Sequence, residues 1–361
     1  MGWKLIKAAR AIGSFILEGR SLRTGGHGKV KGSKVRQILV TGGAGFIGSH
    51  LVDRLLWRGD RVTILDNFNE FYDPSVKWDN IQTHVQHPKF HMERGDIRNI
   101  YDMESVFSKN EFDVVVHLAA MAGVRPSLKD PAFYIDVNVL GTQRVLDQIA
   151  KCRHKPLLVF GSSSSVYGAR PDEMFSETDS IDRPLSPYAA SKAASEAIAF
   201  AAHHTTGLQV VALRFFTVFG PRQRPDLAIH KFCDLIYNGK PIEVYGDGTS
   251  KRDYTFIKDI VAGVEKATDL KEPGFEIINL GRSEPVVLSY VIECLENALG
   301  KKAIIEYKPP QVGDVPNTFA NIDKARKLLN YAPSTSIKSG IDEFVQWYLA
   351  RKAKQKAAER V

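Results

Sequence analysis

At 361 residues, with 43% hydrophobic and 25% charged side chains, the chain can bury a large core in one or two domains, and no apolar run approaches the roughly 20 residues a membrane span needs. The net charge of +8 lies in the first 36 residues, where nine Lys/Arg stand against Glu18; the rest carries 40 basic and 40 acidic side chains, so nothing electrostatic supports nucleic-acid binding by the body. Cys152, Cys233 and Cys294 form neither a disulfide framework nor a metal-ligand spacing, which fits a reducing, cytoplasmic compartment and no metal.

Residues 1–35 are a basic N-terminal extension. Lys4, Lys7 and Arg10 share one helical face, and Leu5, Ala9, Ile12 and Ile16 share another. The segment reads either as an amphipathic piece on an anionic membrane surface, or an address, or as a loosely attached tail. Gln37-Ile38-Leu39-Val40 then reads as a buried strand, and 46–58 as a helix with apolar Ile47, Leu51, Val52, Leu55 and Leu56. Between them Gly42, Gly45 and Gly48 space a G-x-x-G-x-x-G turn. Such a turn lets backbone approach a pyrophosphate and aims a helix N-terminus at it. The next strand, 61–65, ends in Asp66. A carboxylate there accepts from both adenosine ribose hydroxyls and repels a 2′-phosphate, which favours NAD over NADP.

Strand and helix keep alternating, with strands at 89–92, 114–118, 157–160 and 209–215 and helices near 137–151 and 187–204. That is the pattern of an α/β fold, a doubly wound parallel sheet of Rossmann type, over 36–216. Short strands (242–245, 276–280, 303–307) and helices (288–299, 322–329, 337–350) follow. They read as a smaller α/β substrate domain, 217–350, closing over the first, with a basic frayed tail at 351–361.

Ligands of such sheets bind at the C-terminal ends of the strands. Three constellations fall there. In His117-Leu118-Ala119-Ala120, small residues let a cofactor lie against the strand. A serine turn, Ser162 to Ser165, follows the fifth strand. Tyr188 and Lys192 lie one helical turn apart on one face. Tyr-x-x-x-Lys also occurs at Tyr254/Lys258 and Tyr348/Lys352, but only Tyr188/Lys192 follows the serine turn. A neighbouring ammonium and a positive nicotinamide ring favour a phenolate, and a serine hydroxyl can share a substrate proton.

Over residues 36–350 the chain resembles the extended short-chain dehydrogenase/reductases, and within them the nucleotide-sugar epimerases. TGGAGFIGSH, GSSSSVYG and SPYAASK carry the likeness, with RFFTVFGPRQRPDLAI, GDGTSKRDYTFIKDI and VGDVPNTFANIDKA. The later motifs are most similar to those of UDP-glucuronate 4-epimerases. The resemblance implies that Tyr188 takes the proton of the sugar 4-hydroxyl while C4 gives hydride to NAD. The 4-keto sugar then turns and receives hydride on its other face. It makes Ser163 the catalytic Ser/Thr, and Lys192 the residue that binds the nicotinamide ribose and tunes Tyr188. It assigns cofactor contacts to Phe46, Ile47, Asp66, Asn67, Asp96, Ile97, Asn138 and Phe216, beside Leu118, Ala119 and Ala120. It assigns substrate contacts to Thr217, to Arg252 for the diphosphate, and to Asp314 near the nucleotide ribose.

Ser164, Ser165, Thr217, Arg125 and Arg224 could receive a sugar carboxylate; both arginines also read as surface or interdomain residues. Related decarboxylases and 4,6-dehydratases carry an acid in the serine turn, which this chain lacks. The alternatives are a UDP-glucose or UDP-N-acetylglucosamine 4-epimerase and, from another class, a non-catalytic NAD-binding scaffold. The family's usual homodimer would pair through the helices near 137–151 and 188–204.

Overall fold

Runs such as Ile38-Leu39-Val40, Val114-Val115-Val116 and Val210-Val211-Ala212-Leu213 are apolar on both faces, so they belong in a sheet covered on both sides. The computed structural model describes residues 35–169, 174–309 and 317–358 and places these runs in such a sheet. The first half runs β1 (Gln37–Thr41), α1 (Phe46–Arg58), β2 (Arg61–Asp66), α2 (Pro74–Ile81), β3 (Phe90–Arg94), α3 (Ile100–Ser108) and β4 (Val114–His117). It continues with α4 (Val124–Lys129), α5 (Pro131–Ile135), α6 (Gly141–Lys151), β5 (Leu157–Ser163), α7 (Pro187–Thr206) and β6 (Val210–Phe215). The second half runs β7 (Thr217–Phe219), α8 (Ala228–Tyr237), β8 (Ile242–Tyr245), β9 (Lys251–Phe256), α9 (Ile257–Ala267) and β10 (Phe275–Leu280). β11 (Pro285–Val287), α10 (Leu288–Leu299), β12 (Ile305–Lys308), α11 (Asp323–Leu329) and α12 (Ile337–Ala358) complete it.

Seven strands pair in the order β10-β6-β5-β4-β1-β2-β3, all parallel. The order reverses between β1 and β4, and there the C-terminal ends leave a crevice. Register brings Thr41 beside His117 and Ser163 beside Phe215, so the motif residues end on one edge of the sheet. β10 comes from beyond residue 216, so the sheet draws on both halves of the chain. Smaller sheets, β11-β9-β7 and β12-β8, lie outside it.

Three expectations are corrected. The helix foreseen at 137–151 begins at Pro131 and carries a π turn, Asp136–Leu140, before α6. That turn sets Asn138 inward, where its amide donates to Met121 O (2.9 Å) and Ser191 Oγ (2.8 Å). The foreseen frayed tail is helical through Ala358, because its side chains find partners: Arg351 on Asp79, Lys352 on Asp234 and Lys356 on the Tyr237 hydroxyl. Strand 276–280 joins the main sheet rather than a separate one. The basic extension up to residue 34, and Asp314, lie outside the described residues.

Candidate active site

The glycine turn is built to admit a ligand. Gly42 has φ +70°, and a β-carbon there would stand 2.8 Å from the Ala119 backbone nitrogen, so only glycine lets β1 and β4 open side by side. α1 starts at Gly45 with no side-chain cap, which leaves its first N–H groups aimed into the crevice. Phe46 and Gly48 are buried behind it. At the end of β2, Asp66 is buried; Oδ2 accepts from Ala44 N–H (3.2 Å) and Oδ1 from Phe68 N–H (2.9 Å). Lys77 Nζ lies 3.5 Å from Oδ1, a cation that the sequence reading missed because it arrives from α2. Asn67 donates to Asp96 Oδ2 (2.9 Å). Burial alone would raise Asp96, but Arg98, two backbone-distance neighbours on, and Asn67 hold it down at about 2. Ile97 is buried beside it. Leu118, Ala119 and Ala120, just past β4, are half-buried. These features fit the adenosine and pyrophosphate of a dinucleotide.

At the other end, Ser186 caps α7 by accepting from Ala189 N–H (3.1 Å), and Pro187 occupies the first turn. That start fixes which face of α7 looks at β5. Lys192, buried, donates to Gly161 O (2.7 Å) and lies 4.9 Å over the Phe160 ring. Burial lowers its ammonium to about 8, against the pull of Glu196 one turn on. Tyr188 is half-buried, edge-on to Tyr134 at 6.2 Å between ring centres. Burial raises its phenol; the Ser163 hydroxyl and the Arg224 guanidinium act the other way. Ser163 Oγ accepts from Ser165 N–H (3.2 Å) and lies 3.1 Å from Ser165 Oγ, so the two hydroxyls face one point.

Arg224 joins this group. Its Nη2 donates to Ala122 O (3.0 Å) and to Asp226 Oδ2 (2.7 Å). Arg125 is exposed and stacks 4.6 Å over the Tyr245 ring on β8, bridging the two halves. Ser164, Thr217 and Arg252 are half-buried, the last with Nη1 on Lys251 O (3.1 Å). Two of the expected cofactor contacts, Asn138 and Phe216, are buried. Asn138 spends its amide on Met121 and Ser191, and the Phe216 ring packs with Tyr167 and Phe175 in the core. Both are buried, because apolar rings and satisfied amides favour the interior.

Beneath the site lies a buried network absent from the sequence reading. Arg214 donates to both carboxylate oxygens of Glu196 (3.0 and 2.7 Å), and Ser162 Oγ donates to the same Glu196 (2.5 Å). It ties the serine turn to the helix carrying Tyr188 and Lys192. The spacing of Glu196, one turn beyond Lys192, was the available signal. The other Tyr-x-x-x-Lys pairs are structural: Lys258 pairs with Glu343, and Tyr348 donates to Asp234 (2.6 Å). Among the described residues no group of three or more His, Cys, Asp and Glu could hold a metal ion, and no helix is long and apolar enough to cross a membrane.

Residues 39–344 match the family described as GDP-mannose 4,6 dehydratase. A UDP-glucuronate 4-epimerase of Thermodesulfobacterium geofontis is 42% identical over 310 residues, 86% of this chain and 95% of that one. UDP-glucuronate 4-epimerase 4 of Arabidopsis thaliana is 40% identical over 331 residues, 87% and 75% of the two chains. The crystal structure of a UDP-glucuronic acid 4-epimerase from Bacillus cereus, with UDP-glucuronic acid and NAD, superposes with a TM-score of 0.83 at 36% identity, covering 87% of this chain and 99% of that chain.

Proposed function

Because the chain belongs to the GDP-mannose 4,6 dehydratase family, an extended short-chain dehydrogenase/reductase group, we propose that it is an NAD-dependent 4-epimerase interconverting UDP-glucuronate and UDP-galacturonate. The observation that carries this reading is the meeting of Tyr188 with Ser163 and Arg224, one helical turn from Lys192 on Gly161 O, at a serine turn that holds no carboxylic acid.

When bound, NAD accepts hydride from C4 of the sugar and returns it to the opposite face. The chain's own residues handle the proton and the charge. Tyr188 takes the proton of the 4-hydroxyl, with Ser163 sharing it. Lys192, oriented by Gly161 O, favours the phenolate by its charge and binds the nicotinamide ribose. Dehydration or decarboxylation in this family uses an acid in the serine turn; Ser162 to Ser165 supply only hydroxyls. Ser164, Ser165 and Thr217 hold the sugar carboxylate, with Arg224 and Arg125 adding positive charge. A carboxylate held out of line with the 4-keto group resists loss of CO2. The dinucleotide rests on 36–216 and the nucleotide sugar on 217–350, with Arg252 on the diphosphate and Asp314 beside the nucleotide ribose.

Pairing with a second copy belongs to the same reading: Ile135, Leu140 and Phe200 expose apolar surface where α5, α6 and α7 adjoin, and sedimentation equilibrium tests it. The three free cysteines support a cytoplasmic setting. Contact of residues 1–35 with an anionic membrane is tested by flotation with phosphatidylserine vesicles.

The deciding experiment is product analysis after incubation with UDP-glucuronate. UDP-galacturonate is the expected product; appreciable UDP-pentose contradicts retention of the carboxylate. Faster turnover of UDP-glucose or UDP-N-acetylglucosamine favours the neutral-sugar epimerase. Tyr188→Phe is expected to keep NAD and lose activity about 100-fold, as loss of a general base requires. Undiminished turnover removes Tyr188 from the mechanism, and absence of any turnover in the parent leaves the scaffold.

A further inference from the structure

The turn that carries Ser163 is gripped at both ends by one buried ion pair. At its start, Ser162 Oγ donates to Glu196 (2.5 Å). At its close, the Tyr167 ring centre lies 4.7 Å from the Arg214 guanidinium. Arg214 and Glu196 are themselves joined by two hydrogen bonds (3.0 and 2.7 Å), with side chains only 2–3% exposed. The Tyr167 hydroxyl carries the chain of contacts onward, donating to Asn279 Oδ1 (2.6 Å) on β10. Asn279 is buried and held in place, since its amide donates to Phe175 O (2.9 Å) and Asn321 O (3.1 Å). Glu196 stands on α7, one turn beyond Lys192 and two beyond Tyr188. Ser163 and Tyr188 therefore come from two elements, β5 and α7, that this pair fastens together.

Stability alone does not account for the pair. Taking two charges out of water costs about as much as their attraction returns, and apolar residues of similar volume often hold a fold equally well. What apolar residues cannot do is fix direction. Two parallel hydrogen bonds from a planar guanidinium set the orientation of a carboxylate as well as its distance. We infer that Glu196, Arg214 and Tyr167 are positioning residues, which set Ser163 Oγ against the Tyr188 hydroxyl so that the sugar proton is shared between them. The inference rests on the epimerase reading given above. It deepens that reading by assigning the alignment of the proton-handling groups to residues behind them. Sharing a proton demands close alignment of its two oxygens, and a small displacement costs rate without weakening the hold on sugar or dinucleotide.

The test separates alignment from stability in the full-length protein. The triple variant Ser162→Ala, Glu196→Met, Arg214→Met removes the pair together with the hydroxyl bonded to it, so none of the three leaves a buried charge unmatched. Its urea midpoint is expected to stay parental, as replacing all partners by apolar groups allows. With UDP-glucuronate its kcat is expected to fall at least about tenfold, while KM, and NAD affinity by equilibrium dialysis, stay within about twofold of the parent. Tyr167→Phe keeps the ring over Arg214, releases only the tie to Asn279, and is expected to give a kcat between those of the parent and the triple variant. Parental kcat in the triple variant, or in Tyr167→Phe, overturns the two-ended grip while leaving the epimerase reading intact. A triple variant that fails to fold, or that loses KM and NAD affinity in step with kcat, makes the pair structural and overturns it as well. A parent that turns over no UDP-sugar overturns both readings.

Discussion

Replacing Lys192 with Met should make the NAD-free protein more stable at pH 7 and inactive. Lys192 is buried, and its ammonium titrates near 8 rather than 10.5. At 1.36 kcal/mol per tenfold change in proton affinity, keeping that charge inside the fold at pH 7 costs about 3 kcal/mol. Met fills comparable volume without a charge but leaves Gly161 O without its donor, a loss of about 1 kcal/mol. The net expectation is a gain of about 2 kcal/mol at pH 7. The gain must fade with pH. Between about 8 and 10.5 the folded parent has released a proton that its unfolded chain still holds, so parental stability climbs through that window. The variant has no such proton, so the two curves should cross within that window and leave the variant about 1 kcal/mol less stable above it, the cost of the missing donor to Gly161 O. Urea unfolding of both NAD-free proteins at a series of pH values reads the difference directly. A variant less stable than the parent at pH 7, or a difference that does not change with pH, would refute the reasoning.

Three further outcomes follow from the same geometry. Glu196→Gln breaks a buried pair whose side chains are only 2–3% exposed, and urea unfolding should show a loss of roughly 3–5 kcal/mol. Gly42→Ala places a β-carbon against the Ala119 backbone at φ +70°; equilibrium dialysis should show NAD affinity falling at least about tenfold while circular dichroism stays parental. His117 is buried as the neutral ring, and burial, then Lys192, lowers it from 6.5 to about 3. Its contribution is therefore complete above about 6.5 and is lost as the pH falls towards 3, and His117→Gln should shed close to one proton from the slope of stability against pH in that window.

Much of the fold could be read without coordinates because its signals are local. Strands apolar on both faces, a glycine turn between strand and helix, and Tyr188 one turn from Lys192 are patterns of near neighbours, set by backbone periodicity and by what glycine alone tolerates. The alternation of strand and helix then constrained the sheet's order, since parallel crossovers leave few topologies. The π turn at Asp136–Leu140 was not legible, because it is held by hydrogen bonds from Asn138 to Met121 and Ser191, distant partners that only the packed chain supplies. Nor was the helical end of α12, which depends on Asp79 and Asp234 meeting its basic side chains.

The site divides in the same way. Residue types and spacing pointed to a phenol, an amine and a serine turn as its candidate groups. They could not say which arginine faces the phenol, because Arg224 reaches Tyr188 only after β6 and the loop beyond it have folded back over the sheet edge. They could not show that Glu196 and Arg214 clamp the serine turn from below, or that Phe71 touches Arg224 from above. Contacts between segments far apart in the chain leave no periodic trace in it. Folding alone chose those partners, by burying each charge only where an opposite charge, a carbonyl or an aromatic face already stood.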